Sequence, residues 1–253
     1  MCGMSAAFSA LFGTPLAAAI FSMEVVSVGI MHYSALVPCV IASLTAHGIA
    51  SACGIAPEIF PIASIPAFTP KNALIIGIFA VLCALVSILF CTTLHNAERL
   101  YKRFFKNPYV RALAGGLIVI GLTMLAGNQT YNGTGMNIIT GCMEGKTVFP
   151  LAFLLKMIFT AATLGAGYKG GEIVPTLFIG STFGTFFASA FGCSIPLCAA
   201  VGMGAVFCGV TNSPITSLMI CFELFGFDGM PYFLIAIALR QIHPGHHTDR
   251  RHP

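Results

Sequence analysis

Residues 73–94 read ALIIGIFAVLCALVSILFCTTL, a run without a single charge. The hydrocarbon core of a bilayer is about 30 Å thick, and a helix needs about 20 apolar residues to cross it. Lipid offers no partner to bare peptide groups, so such a run must be helical. Arg99, Lys102, Arg103 and Lys106 follow it, and Arg111 opens a second apolar run, Ala112–Ala126. Short connections rich in Lys and Arg stay in the cytoplasm. Residues 71–126 are therefore expected to form a helical hairpin whose basic turn lies inside. The same solvent is written over the whole chain. Of 253 residues, 57% are hydrophobic and 8% charged, with a mean hydropathy of +0.91. A soluble domain carries about 25% charged residues. The formal net charge of +4 is too small to imply a nucleic-acid partner.

Other apolar segments are Leu16–Ile30, Ala35–Cys53, Phe149–Leu164, Pro175–Phe191, Pro196–Val210, Ile215–Phe225 and Tyr232–Leu239. Several are too short to cross a membrane straight. Pro15, Pro38, Pro175, Pro196, Pro214 and Pro231 stand at or near their starts, where proline is tolerated. Short helices that begin inside the membrane need protein partners for their free ends and mark transporters with broken helices. Residues 54–70, rich in proline and carrying Glu58, read as an external loop. Residues 127–147 read as a polar loop holding one short helix. Asn128 and Asn132 head glycosylation-type triplets and are taken as plain loop residues. The ten cysteines are scattered, mostly in apolar stretches, where they serve as small apolar fillers; no metal-ligand set is expected. The tail, 240–253, is read as solvated and disordered, its histidines 243, 246, 247 and 252 included. Met1-Cys-Gly-Met-Ser lacks the charged start of a signal peptide and reads like the middle of a helix.

The chain also repeats itself. Residues 13–24 read GTPLAAAIFSME and residues 212–223 read NSPITSLMICFE. At one offset of 199 residues, Pro15 falls on Pro214, Thr14 on Ser213 and Glu24 on Glu223; upstream, Gly3, Met4, Ala6 and Phe8 fall on Gly202, Met203, Ala205 and Phe207. A proline and a glutamate kept at equal spacing inside membrane segments point to duplication. Repeats of this kind build transporters with the substrate at their interface. Charges in apolar helices are expensive, and the symmetric Glu24 and Glu223 are expected to hydrogen-bond helix ends. The glycine-rich stretch ahead of the second copy has no counterpart after Met1, so the first copy is expected to lack its front.

That stretch, Gly165-Ala-Gly-Tyr-Lys-Gly-Gly-Glu-Ile-Val-Pro175, carries the chemistry. Glycine lets backbone approach a ligand closely, and the helix that follows offers unpaired N–H groups and a positive dipole end. Two readings stand: a site for a desolvated anion, or a turn before a helix that packs through Gly180 and Gly184.

With these motifs in order, the chain resembles the CLC family of chloride channels and transporters over residues 1–239. GGEIVP is similar to the family's GxFxP anion loop, GTPLAAAIFSMEV to its G-A-P-L-A-G-x-x-F-x-x-E helix, and TNSPITSLMICFEL to the counterpart in the second half. The resemblance implies an all-α polytopic protein of the cell membrane, built as an inverted repeat with broken and re-entrant helices. Residues 1–53 would be the rear of the first repeat and 148–239 the second-repeat half with the anion loop. It implies a homodimer in the lipid bilayer, one anion pathway per subunit, and chloride-type channel flow or anion–proton exchange, with no cofactor. The anion would meet Gly170, Gly171, Glu172, Ile173, Val174 and Pro175, chiefly through the N–H groups of Glu172 and Ile173. Ile173 replaces the usual aromatic. Glu172 makes the loop similar to the GGEVTP of the fluoride–proton antiporter branch, though Val174 stands where that branch has threonine. Glu172 is thus a candidate proton-carrying or gating carboxylate, or an acid that steadies a helix start. Val25 stands where many exchangers keep an internal proton glutamate. The gating glutamate would lie before Met1, the serine loop is absent, and the pore tyrosine would lie beyond Arg240, which leaves a transport-inactive fragment as the alternative. Lys156 is expected to snorkel toward the interface rather than to attract anions. A membrane enzyme would need convergent catalytic groups, and none is found.

Overall fold

The computed structural model describes residues 1–26, 31–55, 60, 62 and 65–242. Glu58 and the four tail histidines lie outside the described residues. Those residues form eleven α-helices and no strand. In chain order the helices are α1 (Cys2–Phe12), α2 (Pro15–Glu24), α3 (Leu36–Ala52), α4 (Pro70–Phe104), α5 (Pro108–Ala126), α6 (Met136–Met143), α7 (Ala152–Gly165), α8 (Ile173–Phe191), α9 (Ile195–Thr211), α10 (Pro214–Phe225) and α11 (Met230–Ile242). Four segments are long and apolar enough to span a membrane: Tyr33–Ala52, α4, α5 and α8. The protein is a multi-pass integral membrane protein.

Proline punctuates the helix starts because the first N–H groups of a helix have no intrahelical acceptor. Pro15, Pro70, Pro108 and Pro214 each take the first helical position, and Pro196 the second. Pro175 is the third residue of α8, which begins two residues earlier than the apolar run alone suggests.

α9 forms the centre. Every residue from Leu197 to Cys208 is buried, as expected for a helix apolar on all sides. It packs on α4, α6, α8, α10 and α11. Its tightest partner is α8: a Cβ added at Gly180 or Gly184 would overlap the α9 backbone at Gly202 or Cys198. The glycines therefore set the separation of two helices. By contrast, only 6% of the apolar stretch of α5 is buried, against 67% for α8. The exposed leucines and isoleucines of α3, α4 and α5, such as Ile41, Leu85 and Leu117, form an apolar outer surface.

The duplication is visible in the backbone. α1 ends at Gly13 and α9 at Asn212, both left-handed, with φ of 69° and 53°. In each, the N–H at that position returns to the carbonyl four residues back, Ser9 or Cys208. Thr14 and Ser213 then take matching conformations before the prolines, with φ, ψ of −114°, 78° and −125°, 82°. Gly suits the left-handed position without strain, and Asn tolerates it better than most residues. One difference between the copies has a local cause. The Ser213 hydroxyl pairs with Thr211 Oγ1 at 2.5 Å, but the residue equivalent to Thr211 is Phe12. The buried Thr14 hydroxyl is left without that partner and makes no hydrogen bond among the described residues.

Candidate functional site

The two copies meet through their acids. Glu223, near the end of α10, accepts from the N–H groups of Leu16 (3.0 Å) and Ala17 (2.7 Å) at the start of α2. Glu24, at the end of α2, accepts from the N–H groups of Ile215 (3.2 Å) and Thr216 (2.8 Å) and from Thr216 Oγ1 (2.6 Å) at the start of α10. Each end meets the other's beginning, so α2 and α10 run antiparallel. A carboxylate at a helix N-terminus satisfies orphan donors and the positive dipole end together. Both glutamates are half-buried and committed to this exchange.

The glycine-rich stretch lies elsewhere. α7 ends at Gly165, and the chain passes through exposed Gly167–Gly171 before Glu172 caps α8. The passage is anchored from α5: Arg111 Nε donates to the Ala166 carbonyl (3.2 Å), and the Tyr168 hydroxyl donates to the Ala112 carbonyl (2.8 Å). Glu172, Ile173, Val174 and Pro175 are half-buried. The Glu172 side chain makes no capping bond; its carbonyl instead accepts from the Thr176 N–H and hydroxyl. The first N–H groups of α8, those of Ile173 and Val174, have no acceptor within the helix, and Pro175 has no N–H to offer.

A cavity of about 150 Å³ adjoins this loop. Gly170, Gly171 and Pro175 line it, whereas Glu172, Ile173 and Val174 do not. Tyr131, Asn132, Gly133, Lys156, Thr160 and Thr163 complete its polar wall. Lys156 does not snorkel. It is 3% exposed, and its ammonium donates to the carbonyls of Tyr131 (3.1 Å) and Gly133 and sits 5.2 Å from the centre of the Phe178 ring. The expectation of a snorkelling lysine fails because the Tyr131 and Gly133 carbonyls, from the loop before α6, and the Phe178 ring of α8 hold its ammonium inside. No carboxylate pairs with Lys156 among the described residues. The carbonyls of Tyr131 and Gly133 could not have been found from sequence, since main-chain acceptors leave no residue-type signal.

A family model described as "Voltage gated chloride channel" matches residues 1–241. A "Chloride/fluoride channel protein" of Pseudomonas syringae pv. tomato is 32% identical over 97% of this chain and 56% of its own length. A "Voltage-gated ClC-type chloride channel ClcB" of Salmonella typhimurium is 27% identical over 95% of this chain and 60% of its own. Among solved structures, that of a "CLC-type fluoride/proton antiporter" superposes with a TM-score of 0.91 at 31% identity, covering 96% of this chain and 62% of that one. A eukaryotic CLC transporter shares the fold alone, with a TM-score of 0.70 at 21% identity, over 92% of this chain and 41% of the other. The chain thus spans a little over half the length of the curated relatives it matches.

Proposed function

The chain belongs to the voltage gated chloride channel family, and from that premise we propose that it carries small anions across the membrane, holding them on backbone amides at the start of α8. One observation carries this reading: a buried lysine with no carboxylate partner among the described residues faces the same cavity as the glycine loop. An ammonium out of water is costly unless compensated. Two carbonyls and a ring face supply part of the compensation, and an anion in the cavity supplies the rest. The anion sheds water against Gly170 and Gly171, where no side chain blocks the backbone. The N–H groups of Ile173 and Val174, which have no acceptor within the helix, and the positive end of α8 lie one step further along the same loop. The relatives are named as channels and an antiporter, and we infer transport without an enzymatic reaction, in a homodimer whose subunits each hold one pathway.

A second reading, fluoride–proton exchange, is favoured by Glu172. It stands at the head of α8 in a GGEIVP loop similar to GGEVTP, half-buried and with no capping duty. In this reading it takes a proton as an anion leaves.

Purified protein in liposomes tests both. Fluoride and chloride electrodes report anion efflux, and a trapped pH dye reports protons. Efflux of either anion is expected, and flux of neither overturns the proposal. For the second reading, Glu172→Gln is expected to abolish proton movement while anion efflux persists. Unchanged coupling removes Glu172 from the proton route.

A further inference from the structure

α4 runs 35 residues, about 50 Å at 1.5 Å per residue, whereas the hydrocarbon core needs about 30 Å. Its last turns therefore leave the core. Along its first turns, Leu74, Ile78, Val81, Leu85 and Ile88 are exposed and lie on one line of the helix, an apolar surface suited to lipid. With 3.6 residues per turn, Arg99 and Arg103 fall on that same line, and both are exposed. The positive-inside tendency only asks that such bases be cytoplasmic; it does not ask that they point toward lipid. Tyr101, on the other side of the helix, is buried.

Three features mark this end as more than a solvated turn. Glu98 is the only acid between residues 98 and 111, and it is already paired with Lys102 at 2.5 Å. Arg99, Arg103 and Lys106 have no carboxylate partner among the described residues. Large apolar side chains interleave with them: Leu100, Phe104 and Tyr109 are 55%, 69% and 84% exposed. Aromatic rings beside bases suit the boundary between acyl chains and headgroups, and Arg matches phosphate with a two-pronged donor.

We propose that the α4–α5 turn is a binding site for the headgroups of anionic phospholipids, with Arg99, Arg103 and Lys106 on the phosphates and Phe104 and Tyr109 at the acyl boundary. The site is independent of the transport reading.

The protein contains no tryptophan, so Tyr109→Trp places one fluorophore at the turn. It is reconstituted in phosphatidylcholine vesicles with either brominated phosphatidylglycerol or brominated phosphatidylcholine as quencher. Arg99, Arg103 and Lys106 are expected to enrich the anionic lipid at least about tenfold at the turn. Enrichment falls below about twofold at high salt, or in Arg99→Gln/Arg103→Gln/Lys106→Gln. Leu125→Trp, at the far end of α5, is expected to report no preference. Equal quenching by both lipids at residue 109, an equal preference at residue 125, or a preference that survives neutralisation overturns the site. If the triple variant fails to fold, salt decides: a salt-insensitive preference at residue 109 is equally fatal.

Discussion

The exchange of glutamates between α2 and α10 makes a quantitative prediction. Glu223→Ala removes two hydrogen bonds to backbone N–H groups, and Glu24→Ala removes two plus the Thr216 hydroxyl bond. Hydrogen bonds to charged groups contribute about 1.5–3 kcal/mol in soluble proteins. Between membrane helices the measured contributions are smaller, with a mean of about 0.6 kcal/mol, because separated helices find other partners. Taking about 1 kcal/mol per bond, Glu223→Ala costs about 2 kcal/mol and Glu24→Ala about 3 kcal/mol. The asymmetry belongs to Thr216. Thr216→Val should cost about 1 kcal/mol in the parent and nearly nothing in a Glu24→Ala background, as a double-mutant cycle requires of a contact between the two. Gln at either position keeps one acceptor oxygen and should cost about half as much as Ala. The measurement is unfolding in mixed micelles of mild detergent and dodecyl sulfate. Maleimide capture of the buried thiols Cys39 and Cys221 would follow the separation of α2 from α3 and of α10 from its neighbours. Unfolding of both alanine variants within about 0.5 kcal/mol of the parent would refute the exchange. An equal cost of Thr216→Val in either background would do the same.

Two further outcomes follow from packing. Gly184→Ala should destabilise by about 1–3 kcal/mol, because the new Cβ meets the α9 backbone. In the same micelle assay Gly121→Ala, whose added Cβ meets nothing within 4 Å, should be neutral or stabilising by up to about 1 kcal/mol. Lys156→Met leaves the carbonyls of Tyr131 and Gly133 without their donor, at a cost of about 1–3 kcal/mol, and should lower anion efflux from liposomes. Lys156→Arg should retain more efflux than Met does, and equal efflux in the two would deny the charge a role.

Much of the architecture is local information. Twenty-two charge-free residues define a helix and its solvent, because lipid cannot satisfy a peptide group. The proline and glutamate shared at an offset of 199 residues reveal the duplication, and Gly13 and Asn212 end their helices alike because both residues accept a left-handed backbone. The glycines ahead of α8 mark where backbone lies open. What a side chain does once packed is another matter. Gly121 and Gly184 are both glycines within apolar helices, yet only Gly184 holds two helices together, because the α9 backbone lies against it and an added Cβ at Gly121 would meet nothing within 4 Å among the described residues. Lys156 looks, in sequence, like a base free to reach water. It is enclosed because a loop more than twenty residues away brings two carbonyls to it. Glu24 and Glu223 find their donors 191 to 207 residues off. Periodicity and residue type report the solvent around a helix, but the partner of a buried charge is chosen by how the helices pack.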